Sequence, residues 1–100
     1  MIQINFSTVD DVVTAVPTGR IDSNNAAEFG QRMLENIEGA KKVVADLSAL
    51  NYVSSAGLRE FLKLQKTLSR QDVPFIVINI RPDIKEIFDV TGFSEILTLE

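Results

Sequence analysis

Two short stretches of this chain are apolar on both sides of an extended backbone: residues 43–47, with Val43, Val44, Ala45 and Leu47, and residues 73–80, VPFIVINI. A strand with one wet face alternates apolar and polar positions, so runs of this kind are expected inside a sheet, covered by helices. Two such strands joined through a helix run parallel. The connecting segment supplies that helix. Over residues 56–69, Leu58, Phe61, Leu62, Leu64 and Leu68 fall within an arc of about 160° at 100° per residue, an apolar stripe that lies against the sheet.

The flanking segments extend the pattern. Ile2, Ile4 and Phe6 alternate with polar residues, and Val12, Thr14 and Val16 resume the alternation after Ser-Thr-Val-Asp-Asp, which predicts a β-hairpin. Pro17 cannot donate to a ladder, so it belongs near the strand's end or with its nitrogen turned away from a neighbour. Asp22-Ser23-Asn24-Asn25 offers several helix caps, and Ala26, Phe29, Met33, Leu34 and Ile37 form the apolar side of a helix that ends near Gly39. A third helix starts at Pro82, turns Ile84, Ile87 and Phe88 inward and stops at Gly92. Ile96, Leu97 and Leu99 suggest a short last strand. The order is ββαβαβαβ, an α/β fold with a mixed β-sheet and packed helices. Residues 1–100 are expected to form one domain, since a chain of this length buries roughly 60–65% of its unfolded surface and folds without staples.

Composition then narrows function. The chain has no histidine and no cysteine, which removes the Ser-His-Asp and Cys-His constellations and the usual nitrogen and sulfur zinc ligands. Lys63, the nearest lysine after the serines at 54 and 55, points about a helix face away from them, so a Ser-Lys dyad is not expected either. Neither a GxxxxGK[ST] loop nor a GxGxxG fingerprint occurs, and no cofactor is expected. A net charge of −4 opposes sequence-independent binding to nucleic acid. The longest strictly apolar run, Phe75–Ile78, is far too short to enter a membrane as a span. The amino terminus, MIQINF, lacks the pattern of a secretion signal, so the expected compartment is the cytosol. Catalysis is therefore not expected; a serine hydrolase would be the reading to test by covalent labelling.

Ser54 and Ser55 stand where the second helix begins. A helix start presents unpaired N–H groups and the positive end of the macrodipole, so phosphate on either hydroxyl would be locally welcome. It would also change the surface, because phosphoserine carries close to two negative charges. A serine at this position also commonly serves as a helix cap, worth about 1 kcal/mol. Gly57 allows close packing or close approach of a partner. Asp22 is expected to cap the first helix or line the same face as the serines, and Asp46 to accept loop N–H groups at a strand end. Arg59, Lys63, Lys66 and Arg70 fall within about 60° on the helix face opposite the leucines, a basic ribbon that is either solvated surface or an electrostatic docking strip.

Gly19-Arg20-Ile21-Asp22 ahead of the first helix, Asp46-Leu47-Ser48, and Tyr52-Val53-Ser54-Ser55-Ala56-Gly57-Leu58 ahead of the second together resemble the STAS domain family, in particular its bacterial anti-sigma factor antagonists. The resemblance runs through essentially the whole chain. It implies a partner-switching cycle, in which the unmodified antagonist binds an anti-sigma factor that is also a serine kinase and so frees a sigma factor for transcription. Phosphorylation ends the binding and a serine phosphatase restores it; the ATP and its magnesium belong to the partner. The family's acceptor pattern, Asp-Ser-Ser/Thr-Gly, falls on Ser55, with Ser54 the alternative. This chain departs from it twice, with Ser54 in place of the aspartate and Ala56 in place of serine or threonine. The implied contact surface comprises Ser54, Ser55, Ala56, Gly57 and Leu58, with Arg59 and Lys63 at a charged rim and Asp22 nearby. The same family also implies an alternative: a constitutive subunit of a transport (lipid or anion) or stress-sensing complex.

Overall fold

The structure, a computed structural model, describes residues 2–100. β1 (Gln3–Val9) and β2 (Val12–Ile21) form the hairpin, followed by α1 (Ala26–Asn36), β3 (Lys42–Asp46), β4 (Leu50–Val53), α2 (Ser55–Arg70), β5 (Phe75–Ile78), α3 (Pro82–Val90), α4 (Phe93–Ile96) and β6 (Thr98–Leu99). The strands lie in the order β1-β2-β3-β5-β6, with β4 also paired to β2. Only β1 and β2 are antiparallel; every other pairing is parallel, so the sheet is mixed.

The hairpin closes through Asp10 and Asp11, both with positive φ, the backbone that a two-residue turn between right-twisted strands requires. β2 is long because it serves two neighbours on one edge. Val12–Ala15 pair with β3, and Gly19–Ile21 pair with β4. Pro17 sits in the gap between those two partners, where its missing N–H leaves no ladder bond unmade. At the changeover Gly19 takes φ +94° and donates its N–H to the carbonyl of Ala49, which lets β2 bend out of one ladder and into the next.

All three longer helices pack on one face of the sheet. Phe29 of α1 lies 5.2 Å from Phe61 of α2, and Phe61 lies 5.9 Å from Phe88 of α3, ring centre to ring centre, so a row of aromatic contacts ties the helices into a single layer. Beneath them Ile4, Val13, Ala15, Val43, Ala45, Phe75 and Val77 form the floor of the core.

Three features differ from the sequence-based expectation. The segment between β3 and α2 is not simply a loop: Leu50 and Val53 are buried and hold β4 against β2. A short α4 precedes the last strand. The third difference concerns cover. Val44, Ile76 and Ile78 are half-buried rather than buried, because burial alternates along β3 and β5 and the helices occupy only the other face. An apolar run reports strand faces that could be covered; it does not report whether this chain covers them.

Candidate functional site

The parallel β2·β4 ladder ends in register pairs Arg20–Tyr52 and Ile21–Val53, and the N–H of Ser54 then donates to the carbonyl of Ile21 at 2.8 Å. This bond sets the start of α2 beside Asp22, at the end of the sheet. Ser54 is the helix cap. Its backbone is extended, its Oγ accepts the N–H of Gly57 at 3.2 Å, and its carbonyl accepts the N–H of Leu58 at 2.9 Å.

Ser55 occupies the first helical position and is exposed, and its hydroxyl makes no hydrogen bond among the described residues. The two neighbouring hydroxyls are therefore chemically distinct. One is half-buried and engaged in holding the helix start; the other projects into solvent at the positive end of the helix. No acidic side chain occupies the first turn of α2, whereas α1 carries Glu28 and α3 carries Asp83 there. The dipole at the mouth of α2 is left without a local counter-charge.

Gly57 is buried against the sheet. A Cβ at that position would stand 2.7 Å from Cγ2 of Ile21 and 2.8 Å from Cγ2 of Val53, so only glycine lets α2 approach the ladder this closely. Leu58 is 3% exposed and belongs to the core. The expectation that Gly57 and Leu58 line an accessible contact surface is corrected: position 58 falls inside the apolar stripe of α2, and the pair supports the serine turn from below. Ala56 is half-buried and rests on the same core. Arg59 is exposed one turn after Ser55.

Asp22 ties the turn before α1. Its Oδ1 accepts the N–H groups of Asn24 at 2.9 Å and Asn25 at 3.2 Å, while Asn25 Oδ1 accepts the N–H of Asp22 at 2.8 Å. Its other oxygen meets Arg20 Nε at 3.3 Å. The cap position of α1 is Asn25, so Asp22 braces the preceding turn rather than capping the helix itself. Lys63 stands two turns from Ser55, about 12 Å along the axis. Its ammonium meets Glu60 at 3.2 Å over the groove between α1 and α2, away from the helix mouth. Lys66 and Arg70 continue the exposed ribbon.

The structure adds a feature that sequence reading did not single out. The guanidinium of Arg20 lies over the Tyr52 ring, 4.9 Å from its centre, and Arg81 donates at 2.9 Å to Oδ1 of Asn51, the preceding residue of β4. Tyr52 remains 42% exposed, so this stacked pair forms an aromatic and cationic neighbour to the serine turn. It depends on the β2·β4 register, which periodicity does not disclose. Asp46, at the end of β3, is partly desolvated, which raises its pKa. The Ser48 N–H and hydroxyl and the Asn79 side chain outweigh that effect and hold the carboxyl below its ordinary value. No group of residues able to hold a metal ion occurs among the described residues. No described helix is long and apolar enough to cross a membrane.

The sequence matches the family model of the STAS domain over residues 3–100. It is 30% identical over 95 residues to a Bordetella bronchiseptica protein named as the anti-sigma factor antagonist BtrV, covering 94% of this chain and 82% of that one. It is 25% identical over 97 residues to the anti-sigma-B factor antagonist of Staphylococcus epidermidis, covering 94% of this chain and 90% of the relative. Among solved structures, an anti-sigma factor antagonist from Mycobacterium paratuberculosis superposes with a TM-score of 0.88 at 23% identity, covering 99% of this chain and 85% of that one.

Proposed function

Because the chain belongs to the STAS domain family, we propose that it is an anti-sigma factor antagonist whose grip on its partner is set by phosphate on Ser55. The observation that carries this reading is the division of labour at the mouth of α2, where Ser54 is engaged as the cap and Ser55 is left exposed. The partner is an anti-sigma factor with serine kinase activity, which brings the ATP and magnesium. A serine phosphatase resets the cycle, and the exchange takes place in the cytoplasm. The chain itself is a binding protein, not an enzyme.

The docking surface consists of Ser55, the exposed edges of Ser54 and Ala56, Arg59, Asp22 and the stacked Arg20–Tyr52 pair. Tyrosine and arginine are the side chains that most often anchor protein interfaces. Adding phosphate takes the net charge from −4 to about −6 and concentrates the change at one point of that surface. A partner fitted to a neutral hydroxyl then meets a hydrated dianion. Loss of ten-fold or more in affinity, about 1.4 kcal/mol, is expected.

The test is to copurify the native partner and add ATP. Dissociation with phosphate recovered on Ser55 supports the switch. Ser55→Ala should bind and resist release, and Ser55→Asp should bind at least about ten-fold more weakly. Equal binding by both variants, or a complex with a permease or transport ATPase that persists in ATP, would replace this reading with that of a constitutive subunit.

A further inference from the structure

The sheet face turned away from the helices carries a second apolar surface. Val12, Val16, Val44, Ile76 and Ile78 are half-buried, yet none belongs to the core cluster or to the side chains packed on it. Four of the strands here, β2, β3, β5 and β6, run parallel, and parallel sheets are ordinarily covered on both faces. A cluster of partly exposed apolar side chains on an uncovered sheet face is the kind of surface that marks an interaction site.

The register shows what fits it. Thr14, Val44, Ile76 and Thr98 form one row across four strands. Val12 and Lys42 are paired in the row on one side, and Asp46 and Ile78 in the row on the other, with Val16 one residue beyond the Ala15–Ala45 end of the β2·β3 ladder on that side. Along β3, therefore, Lys42 and Asp46 lie on this face two residues either side of Val44. We infer that this face is a contact between two copies of the chain, stacked sheet to sheet about a two-fold axis lying along the Val44 row.

Such an axis sets Val44 against Val44 of the copy, Val12 against the copy's Val16, and Lys42 against the copy's Asp46, the ion pair occurring twice. It is self-complementary, as an isologous interface must be. Rotation about an axis parallel to the strands would instead oppose Lys42 to Lys42 and Asp46 to Asp46, so the charges select the antiparallel stacking. Lys42 takes part in none of the described ion pairs. Asp46 already accepts from the Ser48 N–H and hydroxyl and from the Asn79 side chain, and a carboxylate offers about four acceptor sites, so one is left for an ammonium. β-Branched side chains on facing sheets interdigitate at a spacing of about 10 Å, as in a sandwich. Because the helices occupy the opposite face, both copies keep their serine turns free, and the inference stands whether or not Ser55 is phosphorylated.

Sedimentation of the full chain from about 1 μM to about 1 mM tests it, with affinity differences read as dissociation constants. The wild type should pass from monomer to dimer over that range. Lys42→Glu, a change at a half-buried position outside the core, should raise the dissociation constant at least about ten-fold, and Val44→Lys about 100-fold. Since the chain lacks cysteine, Val44→Cys with a bifunctional maleimide spanning about 10 Å should yield cross-linked dimer. Ser69→Cys, on the exposed end of α2, should not. A wild type that stays monomeric throughout, or a dimer indifferent to both charge changes, would overturn the inference.

Discussion

Ser54 occupies a position where the chain can exchange one residue type for another without structural cost. The family pattern has aspartate there, and the structure shows why serine serves: the side chain accepts the N–H of Gly57 as an N-cap, a task that aspartate, serine and asparagine perform about equally well. The departure from the pattern thus leaves the helix start intact. We expect Ser54→Asp to match the wild type within a few tenths of a kcal/mol in urea unfolding, and Ser54→Ala to lose about 1 kcal/mol. If the alanine variant were as stable as the wild type, Ser54 would not be the cap. In that case the separation of roles between the two hydroxyls would have no basis. Gly57 is constrained from the opposite side, since Ile21 and Val53 leave no room for a Cβ. Their β-branched methyls are stiff and cannot swing aside.

Elements show which parts of the molecule were legible in sequence. The hairpin, the three longer helices and the parallel β3–β5 crossover follow from periodicity and punctuation, although β2 turns Val13, Ala15 and Pro17 to the core rather than the alternating Val12, Thr14 and Val16. β4 escapes notice because its four residues, Leu-Asn-Tyr-Val, bury only their ends and owe their conformation to β2. The stacking of Arg20 on Tyr52 was hidden for the same reason. That Ser54 and Ser55 stand at the start of α2 was readable from the chain, while the burial of Leu58 was implied by its place in the leucine stripe and overridden by the family pattern. At the end of β3, Asp46 offers a test of an element boundary. Its lowered pKa means that the carboxylate stabilises the fold above the ordinary carboxyl pKa and that this contribution fades as pH falls through the lower folded value. Asp46→Asn keeps the shape and removes the charge. It should cost about 1 kcal/mol at pH 7, measured where the protein is monomeric, and the gap to the wild type should close below about pH 4. A gap that persisted in acid would mean that shape, rather than charge, holds the β3 end.

At the scale of the whole molecule, a switch can act by unfolding part of the chain or by changing one surface of an intact fold, and the two make opposite predictions for stability. The core is assembled by Phe29, Phe61 and Phe88 over the sheet, and Ser55 lies outside it. A phosphate there would meet the free N–H groups of the first turn of α2, which carries no acidic side chain of its own, and Arg59 one turn on is exposed and able to face it. An anion at a helix start is worth about 0.3–1 kcal/mol, and 1 kcal/mol moves the melting temperature of a domain this size by about 4–8 °C. Chain carrying phosphoserine at position 55 should therefore melt at the same temperature as the unmodified chain or a few degrees higher, while its partner affinity falls at least about ten-fold. The added stability should shrink in high salt, because the interaction is exposed to solvent. If phosphorylation lowered the melting temperature instead, release would arise from disorder in α2 rather than from charge at its mouth, and hydrogen exchange along residues 55–70 would locate the change.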